Sequence, residues 1–165
     1  MSGANKKSVF LFLALLLPIL IFLFLKFFGK NEFAVRPLFQ DAVPEPQPGC
    51  LQVKAPYHIP DSVFHSLTFE QDSLLMLWFG DLMDAGDKQL RRVSNELKND
   101  RIRNQVIASN DQKMQSWRTC IFLLKKPYDV VLIDRKGLIR GQFVADNREE
   151  IDRLITEVDI ILKKY

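Results

Sequence analysis

The sequence predicts an α/β domain built on a mixed sheet flanked by helices, preceded by one transmembrane helix. Three observations carry this. The run Val9–Phe28 is apolar throughout except for Lys26. Beyond residue 56, apolar runs of strand length alternate with stretches of helical period. The chain then closes on two strands, a tight turn and a long amphipathic helix.

The first run, "VFLFLALLLPILIFLFLKFF", spans residues 9–28. As a helix it would extend about 30 Å, the hydrocarbon thickness of a bilayer. Pro18 lies inside it, where a membrane helix tolerates proline. A core helix would carry polar punctuation on one face, and this run has none. A cleaved signal peptide would have a shorter apolar region and a small-residue cleavage site. Here the run leads into "LKFFGKNEF", so it is read as a retained anchor behind a short cytoplasmic tail, residues 1–8. Lys6 and Lys7 precede the helix while Lys26, Lys30 and Arg36 follow it, so charge alone does not orient it. The short tail favours a single-pass protein of the cell membrane with its domain on the extracytoplasmic side.

Residues 29–56 include Pro37, Pro44, Pro46, Pro48 and Pro56. Such composition favours extended, semi-rigid chain, and the segment is expected to be a spacer holding the domain off the bilayer. The net charge of +3 belongs wholly to residues 1–56, with six Lys/Arg against three Asp/Glu; from Tyr57 onward there are 17 of each. A balanced domain has no electrostatic footprint for nucleic acid. The excess flanks the anchor, where it suits acidic lipid head groups.

The domain proper is expected over residues 57–165. "SVFHSLTF" reads as a weak strand or a pair of strand fragments. "SLLMLWF" is a continuous apolar run, as in a strand buried on both faces. "DKQLRRVSNELKN" places Leu90, Val93 and Leu97 on one helical stripe. "RIRNQVIAS" is a shorter strand, and "NDQKMQSWR" a helix with Asn110 or Asp111 as its cap. "YDVVLID" and "LIRGQFV" are strands joined by "RKG", with Gly137 available for positive φ. In the last helix Ile151, Leu154, Ile155, Val158, Ile161 and Leu162 share a stripe; Asn147 and Glu150 make a capping-box-like start, and Lys163 and Lys164 suit the dipole at its end. Strands alternating with helices and closing on a hairpin give a mixed sheet covered on both faces. That is the thioredoxin-like layout, with "SLLMLWF" and "YDVVLID" as central strands.

The tail "VVLIDRKGLIRGQFVADNREEIDRLITEVDIILKKY" resembles the end of the Sco/SenC family of membrane-anchored, thioredoxin-like copper proteins. "LWFGDLMDAGDKQL" is similar to that family's strand, its Phe-Gly, and the loop leading to its first helix. The anchor, the proline-rich segment and "YHIPDSVFHSLTF" are similar too, so the resemblance covers most of residues 8–165. Members of the family hold copper through two cysteines in a Cys-Pro-x-x-x-Cys-Pro loop and a histidine before the penultimate strand. Thiolate and imidazole suit copper, and thiolates hold its cuprous form. Here the loop offers Asp81, Leu82, Met83, Asp84, Ala85 and Gly86, and the histidine position falls at Lys125–Tyr128, "KKPY". All three ligands are missing. The resemblance with these departures implies an accessory protein, not an enzyme, with no catalytic, cofactor-binding or metal-binding residue. It would serve as a binding or assembly module in cytochrome oxidase biogenesis, its partner a membrane protein complex or another Sco-like protein. The alternative is a copper chaperone or thiol–disulfide protein using nonstandard ligands.

Cys50 and Cys120 are the chain's two cysteines. A disulfide pinning the proline-rich segment to the domain is expected, consistent with an outside location. A reactive redox pair, or a buried Cys120 with Cys50 free, are the alternatives. His58 and His65 lack partner ligands at matching spacing, and Met76 falls in an apolar run that reads as core. Met83, with His65 or His58, is the remaining soft-metal candidate, and Met114 is a further soft side chain. Asp81, Asp84 and Asp87 recur every three residues at a helix start, where the dipole already favours acids. Lys126-Pro127 precedes a buried strand, where thioredoxin-like folds often hold a cis proline.

Overall fold

A computed structural model describes residues 3–28, 34–67, 73–80, 84–98 and 101–164. The chain divides into two compact units, Met1–Phe33 and Ala34–Tyr165. The first is helix α1, Gly3–Phe28, with Pro18 inside it. Its stretch Ser8–Phe27 is the one helix among the described residues long and apolar enough to cross a membrane.

The second unit carries α2 (Asp61–Phe64), β1 (Leu74–Phe79), α3 (Asp84–Glu96), β2 (Ile102–Ile107), α4 (Gln112–Cys120), β3 (Val130–Asp134), β4 (Ile139–Phe143) and α5 (Arg148–Lys164). The sheet order is β2-β1-β3-β4. β1 runs parallel to β2, Leu74 opposite Ile102, and antiparallel to β3, Trp78 opposite Val130. β3 and β4 form an antiparallel hairpin whose register slips by one between Leu132/Gly141 and Ile133/Ile139, leaving Arg140 as the extra residue. β1 and β3 are the central strands, and every residue of both is buried.

Alternation along β1 divides the core in two. Leu75, Leu77 and Phe79 join Val131, Ile133, Ile107 and Ile139 on one face, under Val63, Met114 and Phe122. Leu74, Met76 and Trp78 join Val130, Leu132 and Phe143 on the other, under Val93 and Leu97 of α3 and Ile151, Leu154 and Val158 of α5. Full burial of each such side chain contributes roughly 1.5–3 kcal/mol, which is why unbroken apolar runs take the two inner positions.

The helix starts are chemically explicit. Asp111, rather than Asn110, caps α4, its carboxylate accepting the Met114 N–H at 3.0 Å. Asn147 Oδ1 accepts the N–H groups of Glu149 and Glu150 at 2.9 and 3.3 Å. Glu150 turns instead to Arg153, at 2.7 Å, so only the asparagine half of the capping box forms. The β3–β4 turn uses Gly137 at φ 71°. Asp134 closes it, its Oδ1 accepting from the N–H groups of Lys136 and Leu138 at 2.9 and 3.0 Å.

Two expectations differ from what is observed. "SVFHSLTF" is not a strand where it is described: residues 61–64 form α2. Pro60 accepts from the N–H groups of Val63 and Phe64, and Val63 and Leu67 are buried while His65 between them is exposed, which a helical turn allows and a strand's alternation does not. The rest of that run, residues 68 and 69, lies outside the described residues. The second difference concerns the spacer: residues 34–56 belong to the compact unit instead of standing free. Leu38, Phe39, Val43 and Val53 pack on the first core and Val35 on the second. Leu38 N–H donates to Ile139 at 2.7 Å, supplying the outward carbonyl of edge strand β4 with a partner. Proline fixes φ but does not keep the apolar residues between prolines from packing.

Candidate functional site

The sheet brings two loops to one end. β1 delivers the chain to Gly80, at φ 110°, whose N–H donates to Ile107 at the end of β2 at 2.9 Å. Beside it, Phe79 N–H donates to Asp129 at 2.8 Å, just before β3. The loop 125–128 therefore lies at the same end of the sheet as Gly80. Asp81 and Met83, singled out above, lie outside the described residues, as does the side chain of Asp84. Asp87 is half-buried and paired with the exposed Arg91 at 2.9 Å, a helix-surface ion pair.

Loop 125–128 is built from Lys125, Lys126, Pro127 and Tyr128, and its Lys126–Pro127 peptide is cis. Arg118 of α4 holds it, donating from Nη2 to the Tyr128 carbonyl at 2.9 Å, with its guanidinium 6.0 Å from the Phe79 ring centre. Lys125 Nζ donates to the Glu45 carbonyl at 3.1 Å. Asp129 Oδ1 accepts the Ala145 N–H at 2.6 Å. Burial pushes the Asp129 carboxyl above the usual carboxylate range; the Asp146 charge adds to this, while the Ala145 N–H and the Arg118 charge oppose it. Sequence reasoning missed Arg118 and Asp129. The one available signal was an aspartate standing immediately before a fully apolar run.

His58 and His65 are exposed and belong to the opposite end of the sheet. Ile59 N–H donates to Gly137 in the β3–β4 turn at 2.9 Å, and the Phe64 ring of α2 lies against that same glycine. Leu74 pairs with Asp134 there, a full strand away from Gly80. Met76 is wholly buried in β1, and Met114 is buried under α4. Among the described residues no group of three His, Cys, Asp or Glu side chains is placed to hold a metal ion. The side chains described at the Gly80 end are ammonium groups, a phenol and the Asp129 carboxylate, hard groups that do not fit cuprous copper.

Cys50 and Cys120 are joined in a disulfide, with Cα atoms 5.1 Å apart and a sequence separation of 70. Around it, the end of α4 is held from several sides. The Tyr57 hydroxyl donates to the Ile121 carbonyl at 2.7 Å, and Gln142 Nε2 donates to the carbonyls of Phe122 and Leu123 at 3.0 and 3.1 Å. Leu123 and Phe39 adopt φ 53° and 61°, left-handed backbone that bulky residues seldom take. Burial pushes the Tyr57 phenol up to about 12.

Two surface depressions carry no site of this kind. One of about 520 Å³ is lined by polar residues of α3, mostly charged, among them Asp87, Arg91 and Glu96. The other, about 460 Å³, lies between Val35–Phe39, β4 and α5. Its Arg140 and Arg153 are already engaged by Asp134, Glu150 and Glu157. Comparison with family models and with curated proteins gives no match.

Proposed function

We propose that the chain is a membrane-anchored, noncatalytic accessory protein of the Sco/SenC kind. Its thioredoxin-like domain would lie outside the cytoplasm and act as a binding or assembly module in cytochrome oxidase biogenesis. The thioredoxin-like reading is supported by the order β2-β1-β3-β4, by β3 running antiparallel to both neighbours, and by a helical crossover between parallel β1 and β2. The extracytoplasmic reading is supported by the Cys50–Cys120 bridge, because such bonds persist in oxidising compartments.

The noncatalytic reading rests on the donor set at the Gly80 end of the sheet. Both cysteines of the chain are committed to one bridge, and loop 125–128 contributes lysines, a proline and a tyrosine. Thiol–disulfide exchange needs a thiolate to attack, and cuprous copper needs soft ligands. In a host strain lacking this chain, the amount of assembled cytochrome oxidase should fall, and the full chain should restore it. Unchanged oxidase in the deletion strain would overturn the reading.

A further inference from the structure

Residues 39–57 form a loop closed at its base, where Tyr57 N–H donates to the Phe39 carbonyl at 2.9 Å and Gln40 Nε2 reaches the Tyr57 carbonyl at 3.5 Å. At that base and on either side of it the chain is fixed to the domain by bonds that do not involve residues 40–56. Leu38 N–H donates to Ile139 at 2.7 Å, Ile59 N–H to Gly137 at 2.9 Å, and the Tyr57 hydroxyl to Ile121 at 2.7 Å. Beyond the base the attachments are different in kind. They are the bridge at Cys50, the hydrogen bond from Lys125 to Glu45, and the packing of half-buried side chains, among them Val43, Pro44 and Val53. Ordering a loop of this length costs more entropy than a few half-buried side chains and one exposed hydrogen bond return, since none of its residues between the base positions is fully buried. The covalent bond is what holds the loop down.

The bridge is also open to exchange. Cys50 and Cys120 are both only half-buried, and Lys125 lines the same small cavity as they do. An ammonium group there favours the thiolate that leaves when the bond is attacked.

The geometry points to a redox-gated flap: a dithiol reductant opens Cys50–Cys120 and releases residues 40–56 from the end of α4 while the sheet stays formed. A thiolate of the reductant attacks one sulfur of the bridge, forming a mixed disulfide and expelling the other cysteine as a thiolate. The reductant's second thiol, deprotonated, then attacks the mixed disulfide. The reductant leaves as its own disulfide, two electrons pass to the chain, and Cys50 and Cys120 each end as a thiol. Val43 and Val53, with their apolar neighbours at the end of α4, become accessible. This inference stands independently of the role in oxidase biogenesis.

The test uses the full chain in detergent micelles, oxidised or treated with dithiothreitol without denaturant, alongside the double variant Cys50→Ser/Cys120→Ser. Trypsin cleavage after the exposed Lys54 reports the flap, and hydrogen exchange of β1 and β3 amides reports the sheet. Cleavage should rise by about tenfold in the reduced protein and in the double variant, while β1 and β3 exchange within about twofold of the oxidised chain. A bridge that resists dithiothreitol under native conditions overturns the proposal. So does cleavage at Lys54 that reduction leaves unchanged. Loss of protection in β1 and β3 together with the loop overturns it as well, since the bridge would then clamp the whole domain.

Discussion

The Tyr57 hydroxyl donates to the Ile121 carbonyl at 2.7 Å, joining the segment before α2 to the last turn of α4. Tyr57 is almost fully buried, and burial pushes its phenol up to about 12 from an ordinary 10. The native state thus favours the protonated phenol. Its contribution is present in full below pH 10 and is lost as pH rises from 10 to about 12. Tyr57→Phe should cost roughly 1–3 kcal/mol at neutral pH, because the Ile121 carbonyl loses its donor. The same variant should show a shallower loss of stability than the wild type across the alkaline limb. Urea melts of both proteins over that range check the prediction, and parallel limbs would refute it.

Asp134 and Arg140 form an ion pair at 3.3 Å in which both residues are more than nine-tenths buried. Their roles are unequal. Asp134 also accepts two backbone N–H groups in the β3–β4 turn, whereas Arg140 donates to the Val35 carbonyl from Nη2. Asp134→Ala removes a buried carboxylate from beside the Arg140 guanidinium and uncaps the turn, at a cost of roughly 3–5 kcal/mol. Arg140→Met should cost less, because the turn still hydrogen-bonds the carboxylate. Chemical denaturation of the two variants settles the order.

Gly141 is the position where β4 passes beneath Phe143. A Cβ there would overlap the Phe143 ring, and Glu157 Oε2 lies 3.3 Å from the same point. The ring cannot yield easily, since it is fully buried and Arg153 lies 4.4 Å above its centre. Gly141→Ala should destabilise the domain by about 1–3 kcal/mol through overpacking. A melting temperature equal to that of the wild type would show that the ring moves aside.

Much of this fold was legible because burial on both faces leaves a one-dimensional trace. β1 and β3 are unbroken apolar runs, and α3 and α5 repeat at helical spacing. The segment around Val63 misled, since its apolar residues fit a strand until Pro60 is seen accepting from Val63 and Phe64. The proline-rich segment misled for a related reason. Composition speaks to stiffness, but the docking of Leu38 depends on the free carbonyl of Ile139, about a hundred residues away in sequence. At the candidate site, missing ligand types could be read directly from the chain. The grip of Arg118 on Tyr128 could not, because it is set by how α4 returns to the sheet.

Cuprous copper should not be retained by the full chain against a competing chelator. The residues described at the Gly80 end supply lysines, a tyrosine and the Asp129 carboxylate, and both cysteines are bridged. Anaerobic titration with a chromogenic chelator checks this. Stoichiometric retention abolished by replacing Met83 or His65 would instead favour the copper-chaperone alternative.

Cys50→Ser should lower the melting temperature without unfolding the domain at ordinary temperature. Closing a loop of 70 residues could stabilise by roughly 4 kcal/mol in the chain-entropy model, by restricting the unfolded chain. The full amount is not expected. If residues 40–56 come loose when the bridge is absent, the native state regains entropy too, and the net loss shrinks to roughly 1–3 kcal/mol. Tyr57, Leu38 and Ile59 keep their hydrogen bonds to Ile121, Ile139 and Gly137, so the first core remains covered at the base of the loop. Calorimetry of the oxidised wild type and of Cys50→Ser measures the difference. A loss near the full chain-entropy value would mean that the loop stays ordered without its bridge, and no loss at all would mean that the bridge constrains neither state.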